Sequence, residues 1–355
     1  ISDVKRAEAV YGKDIAALKG KTVRKTPKPT VVDYIDVPPE IMDSHKNITL
    51  AGDVFFVNKI PFLVTISQHI KFTTVENISR RTKVILAQGL KSVKHLYEKR
   101  NFSVTTALMD NEFEPLRAEL QEANIVLDTC AAGEHIPQVE RRIRVIRERA
   151  RARRHTLPFE FLPKIMVIAL VRNAVLWLNA FPPKGGVSAT IGPRTILTGD
   201  KFDYKTHCRI AFGAYAQVHV NDTNSTPAER THGAICLGPV SNLQGSYNFM
   251  SLLTGKKIKR SDWTPLPMSA DIIARVNALG KRDGMTGLLT FYDRKGKEID
   301  EQELADEPAD GEITGVQENP NSPPPPMTAK LQEWRELSSQ ECRTPRTVMV
   351  PIITM

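Results

Sequence analysis

The sequence predicts an α/β fold: a mixed five-stranded sheet with flanking helices, followed by a smaller all-β region. Three observations predict it. Runs rich in Val, Ile, Phe and Thr come first, at Ile48 to Val57, Ile60 to Gln68 and Ile70 to Glu76, with turn-sized breaks at Asn58-Lys59 and Gln68-His69. Helical and strand patterns then alternate as far as Arg154. After His207 the chain changes to short strands joined by polar loops.

The elements follow in order. Residues 1–45 show only a short helix near Val4 to Ala17, then a basic run, KGKTVRKTPK, in which Lys19, Lys21, Arg24, Lys25 and Lys28 make either a solvated linker or a nucleic-acid contact. After the three strands, Arg80 to Arg100 has helical spacing, with Val84, Leu90, Val93, Leu96 and Tyr97 on one broad face. Phe102 to Met109 is a strand with Asp110 at its end, Glu114 to Ala123 a helix, and Ile125 to Cys130 a strand. The order βββαβαβα is the RNase H-like arrangement. A right-handed helical crossover places the fourth strand parallel to the first, which sets Asp53 and Asp110 on neighbouring strands. Glu140, on the next helix, leans over the same edge. Three carboxylates there suit a site of two hard cations, Mg2+ or Mn2+, with oxygen ligands.

The helix of Glu140 is intensely basic, with eight arginines in the fourteen positions after it. Val139, Ile143, Ile146 and Ala150 follow a 4, 3, 4 spacing and pack inward, while Glu140, Arg144, Arg147, Arg151 and Arg154 share another face. Guanidinium forks match phosphate oxygens, so this row suits a DNA backbone, and a solvated face is the plainer alternative. Leu162 to Phe181 is mostly apolar, but Arg172, Asn173 and Asn179 interrupt it, which favours a buried helix over a membrane span. Strands are then expected at Cys208 to Phe212, Ala214 to Val220, Gly233 to Leu237, Tyr247 to Leu253 and Lys257 to Trp263.

Composition bounds the function. At 355 residues, 41% of them hydrophobic, the chain has room for two or three domains and a sizeable core. A net charge of +9 favours an acidic polymer or an anionic membrane as partner. Cys130, Cys208, Cys236 and Cys342 are scattered without a C-x-x-C pair, which indicates a reducing compartment rather than a disulfide framework. A start at Ile1 without methionine reads as a fragment or a processed product.

Two segments carry a family resemblance. LMDNEFEPL, around Asp110, resembles the D-N-G-G-E-F segment of copia-type, retroviral-like retrotransposon integrases, and PQVERRIRVIRERAR resembles their N-G-V-A-E-R-x-x-R-T-L-x-E-x-A-R segment around Glu140. The match runs from about Val23 to about Trp263. FGAYAQVHV and LTGKKIKR resemble the family's C-terminal segment, which implies an SH3-like barrel whose Lys257, Lys259 and Arg260 contact DNA. The resemblance implies a polyprotein fragment that carries out DNA 3′-end processing and strand transfer. Asp53, Asp110 and Glu140 would be its catalytic metal ligands. The expected partners are double-stranded element ends and target DNA, bound by a homo-oligomer with no membrane. The integration complex would be nuclear, with an earlier cytoplasmic particle.

That reading divides the chain into a basic N-terminal remnant at 1–45, a catalytic core at 46–200, a barrel region at 201–297, and an acidic, proline-rich tail at 298–355 that ends its linker in Pro323 to Pro326. Ala16, Ala17 and Leu18 stand where the family has the last cysteines of a zinc module, so no zinc site is expected. Glu134 competes with Glu140 as third acid. The segment after Asp110 is contracted to Asn111-Glu112-Phe113, and the interval to Glu140 is shorter than the family's. These departures support an alternative: a catalytically degenerate copy that only binds DNA. An RNase H-type nuclease is a further alternative, opposed by the lack of an acid on the first helix other than Glu98.

Overall fold

Apolar, β-branched residues fill both faces of the opening strands, so β1 (Asn47–Val57) and β2 (Ile60–Ser67) are buried almost throughout. Asn58 and Lys59 join them with φ values of 47° and 62°, a two-residue turn whose twist suits the strands it connects. β3 (Thr73–Asn77) completes an antiparallel meander. It begins later than the apolar run that starts at Ile70, because Lys71 takes a left-handed φ of 60° and the Phe72 N–H turns back to Ser67 Oγ. This is a computed structural model, and it describes residues 1–21, 30–31, 33–130, 136–220, 227–240, 243–293 and 296–299. Arg24, Lys25, Lys28, Glu134, Cys342 and all but the start of the 298–355 tail lie outside the described residues.

Among the described residues three helices precede the meander where the sequence indicated one: α1 (Ser2–Tyr11), α2 (Ile15–Gly20) and α3 (Pro39–His45). Gly12, at φ 79°, parts the first two, and the Asp14 carboxylate accepts from the Ala16 and Ala17 N–H groups to start the second. Lys19 of the basic run pairs with Glu229 at 2.9 Å.

After the meander, α4 (Lys83–Glu98) crosses over and β4 (Ser103–Asp110) returns parallel to β1. A 3-10 turn over Asn111–Leu116 and the short α5 (Arg117–Glu122) replace the single expected helix, and β5 (Val126–Cys130) then pairs parallel to β4. The sheet order is β3-β2-β1-β4-β5. It is the expected mixed five-stranded sheet with flanking helices.

The long helices α6 (Pro137–His155) and α7 (Lys164–Ala180) cover one face of this sheet. On α7, the polar residues that interrupt the apolar run hold the sheet edge: Asn179 accepts from the Thr73 N–H at 2.9 Å and donates to the Thr73 carbonyl at 2.7 Å. No helix among the described residues is long and apolar enough to cross a membrane.

The short helices α8 (Pro193–Thr198) and α9 (Tyr204–His207) follow. The strand expected over Cys208 to Phe212 does not form. Instead the Tyr247 hydroxyl takes the Arg209 N–H, and Gly213 turns the chain at φ 82° where a Cβ would meet Leu157. A second, antiparallel sheet is built from β6 (Tyr215–His219), β7 (Thr231–Pro239), β8 (Tyr247–Ser251), β9 (Lys257–Arg260) and β10 (Trp263–Pro265), in the order β10-β6-β7-β8-β9.

The chain then turns back through α10 (Ala270–Arg282) to β11 (Phe291–Tyr292), which pairs with β1 at Val57 and Phe56. The two sheets share one hydrophobic cluster: Ala51, Phe55, Val64, Ile143 and Ile146 continue through α7 into Tyr215, Ile235, Met250, Val276 and Phe291. A separate cluster on the other face joins Leu50, Val54 and Leu63 to Leu90, Val93 and Tyr97 of α4. Burying each such aliphatic side chain contributes roughly 1.5 to 3 kcal/mol.

Candidate functional site

Strand register decides which polar residues meet. The parallel ladder of β1 and β4 runs to the pair Gly52–Met109, and Asp53 and Asp110 are the next residue on each strand. Asp110 in turn pairs with Cys130 on β5. Residues in parallel register project to the same face. Asp53, Asp110 and Cys130 therefore form a row across three strands, on the face that α6 covers over β1 and β2. That face is open over β5, where Val126 is 66% exposed. The row crosses from covered sheet to open sheet.

Each acid is fixed by its own backbone. Asp53, 9% exposed, accepts from the Val54 N–H, and Asp110 accepts from the Asn111 N–H at 2.7 Å, which starts the 3-10 turn. Behind that turn, Glu114 receives hydrogen bonds from Arg117 and from Thr129 of β5, which hold its carboxyl well below the usual range, at about 2. Past Asp53, β1 parts from β4 and takes β11 on the same edge.

α6 supplies the charge. Burial pushes the Arg147 guanidinium down to about 10, opposed by the field of Asp53 and aided by the like charge of Arg151. The Phe291 ring lies 5.6 Å from the Arg147 guanidinium and 5.7 Å from that of Arg151. Arg154 donates to the carbonyls of Glu160 and Gly287. Arg144 is half-buried, and Glu140 is exposed in the first turn of the helix. The face expected to be an open arginine row is thus partly roofed by the returning chain, with Arg154 engaged in holding it.

Among the described residues no three His, Cys, Asp or Glu side chains form a group that could hold a metal ion. The structure brings Asp53 and Asp110 abreast and does not gather Glu140 into one ligand group with them. Two carboxylates still suit a magnesium-like ion, which takes one or two protein carboxylates and completes its shell with water and substrate phosphate. Asp53 and Asp110 would hold such an ion, and it would supply positive charge to a phosphoryl oxygen.

No protein-family model and no curated protein matches the chain. Among the solved structures similar to the chain is the catalytic core domain of BIV integrase, at 19% identity and a TM-score of 0.31, covering 42% of this chain and 92% of that one. So distant a likeness carries no functional argument, which rests on the residues themselves.

On the second sheet, Lys257 and Lys259 are exposed on β9, while Arg260 is occupied with the carbonyls of His219 and Lys259. β9 is an edge strand, where lysines also guard against pairing with another chain. Sequence reasoning missed Cys130 beside Asp110 and Phe291 beneath the arginines. The end of the β5 run at Cys130 pointed to the first. Nothing local pointed to the second.

Proposed function

We propose that the chain is an integrase-type polynucleotidyl transferase acting on DNA, of the copia-like kind that the segments around Asp110 and Glu140 resemble. A 3′ hydroxyl oxygen of one DNA forms a new P–O bond at a phosphodiester of another. The bond from that phosphorus to its 3′ oxygen breaks, the attacking hydroxyl's proton passes to solvent, and the departing 3′ oxygen takes a proton from solvent to become a hydroxyl. The observation that carries this reading is Asp53 abreast of Asp110 at the fork of a mixed sheet, beside a helix with eight arginines. Asp53 and Asp110 orient the reacting phosphate, Glu140 is the candidate third acid, and Arg144 and Arg151 position the backbone. The second sheet supports the reading: five strands in sequence, with the last beside the first, have the strand order of an SH3-like barrel. Assembly as a multimer on paired DNA ends, in a nuclear complex, belongs to the same proposal.

A strand-transfer assay on the full chain with Mn2+ tests it. Joined product from the parent, and none from Asp110→Asn, is the expected result. Absence of product from a parent that still binds DNA would favour a second reading, a DNA-binding relic. That reading has its own observation: Arg147 lies within the field of Asp53, and Glu140 stays outside the ligand group.

A further inference from the structure

α6 carries a second arginine row, on the flank away from the acids. Arg142, Arg149 and Arg153 are spaced by 7 and 4 residues, so they line up on one side of the buried stripe, with Arg144, Arg147 and Arg151 on the other. The row is about 16 Å long at the rise of a helix. Gln138 donates to the Gln68 carbonyl at 3.4 Å, which sets the start of the row beside the β2–β3 turn and Lys71. Lys71 feels both Arg141 and Arg142, and Arg142 feels Arg149, with no acid of the described residues among the charges acting on either. Cations that packing holds together without an acid favour a bound anion.

The far end of the row is aromatic. Arg153 lines a cavity of about 220 Å³ with Trp177 and His207. His207 is 3% exposed, and its Nε2 is buried there without a hydrogen-bond partner among the described residues. Trp177 stacks on Phe181, with ring centroids 6.4 Å apart and planes 17° apart, and Phe181 is 56% exposed just past the end of α7. A line of guanidiniums leading to an exposed, stacked ring matches a polymer that alternates phosphates with flat bases. A duplex keeps its bases stacked inside and makes no use of Phe181.

We propose that this groove, from Lys71 along Arg142, Arg149 and Arg153 to the Trp177–Phe181 stack, binds single-stranded nucleic acid, with phosphates on the arginines and bases on the rings. It goes beyond the proposed reaction and needs neither the acids nor a metal. The test is fluorescence anisotropy of a labelled oligothymidylate with the full chain, without divalent metal and over a range of salt. Phe181→Ala should weaken binding by about tenfold or more, and Phe181→Tyr should restore it. The double variant Arg149→Ala/Arg153→Ala should flatten the salt dependence by about 0.7 log unit per arginine removed. A duplex of the same length should be insensitive to Phe181→Ala. Unchanged single-strand affinity in both variants, with circular dichroism showing the parent fold, would overturn the proposal. So would an equal loss for duplex and single strand in Phe181→Ala. Because no chemistry is read, these outcomes are independent of the strand-transfer result.

Discussion

Phe291 pairs with Val57 in antiparallel register, and its ring packs beneath Arg147. The last strand of the described chain thereby becomes part of the first sheet and roofs the helix that faces Asp53. Asn58 strengthens the junction: its side chain accepts from the Thr290 N–H at 2.8 Å, and its own N–H donates to the Thr290 carbonyl at 2.8 Å.

Phe291→Ala should therefore destabilise the whole protein, by about 3 to 5 kcal/mol as for other buried aromatics. Urea unfolding followed by two probes, one on each sheet, should show a single shifted transition. Loss confined to the second sheet would show that the strap is not integral to the first.

The two acids should differ in what they do for stability. Asp53→Asn removes the field that offsets part of the burial cost of Arg147, and should lower stability by roughly 1 to 3 kcal/mol. Asp110→Asn relieves repulsion between neighbouring carboxylates and should cost less or nothing. Thermal melts without metal compare them, and equal losses would remove Arg147 from the account.

Metal should be read by the pair and not by the third acid in the DNA-free protein. Mn2+ at a hundredfold excess over its dissociation constant should stabilise the parent by about 2.7 kcal/mol. Either aspartate variant should abolish the shift, while Glu140→Gln should keep it. A shift lost in Glu140→Gln would mean that the glutamate joins the ligands once the ion arrives.

Gly280 lets α10 lie against the backbone of Phe161, since a Cβ there would fall 2.6 Å from the Phe161 carbonyl oxygen. Gly280→Ala should push α10 off its seat and cost about 1 to 3 kcal/mol. Because α10 leads into β11, the same substitution should increase protease cleavage near residues 283–290. A parent-like melt would show that the helix shifts freely.

Glu114 sets an acid limb. Its pKa is depressed from 4.5 to about 2, so its contribution is present above the unfolded value and is lost as pH falls from 4.5 through about 2. Glu114→Gln should lose less stability than the parent over that window, in denaturation curves taken at stepped pH. An identical acid limb in both proteins would contradict the assignment.

What the sequence determined by itself was local and periodic. Dense β-branched residues marked β1 and β2, the 4, 3, 4 spacing of Val139, Ile143, Ile146 and Ala150 fixed the buried face of α6, and the order of elements put Asp53 and Asp110 on adjacent strands. These follow from backbone geometry, which repeats every two residues in a strand and every 3.6 in a helix. Tertiary structure alone decided the rest. A two-residue strand such as β11 is too short to carry a period, and its partner Val57 lies at the other end of the chain. The helical repeat draws two arginine rows on α6 with equal clarity, and only the sheet beneath determines that one faces Asp53 and the other faces Lys71 and Trp177. Whether Glu140 reaches the aspartates is likewise a question of where packing sets the helix along the strands, which residue spacing does not contain.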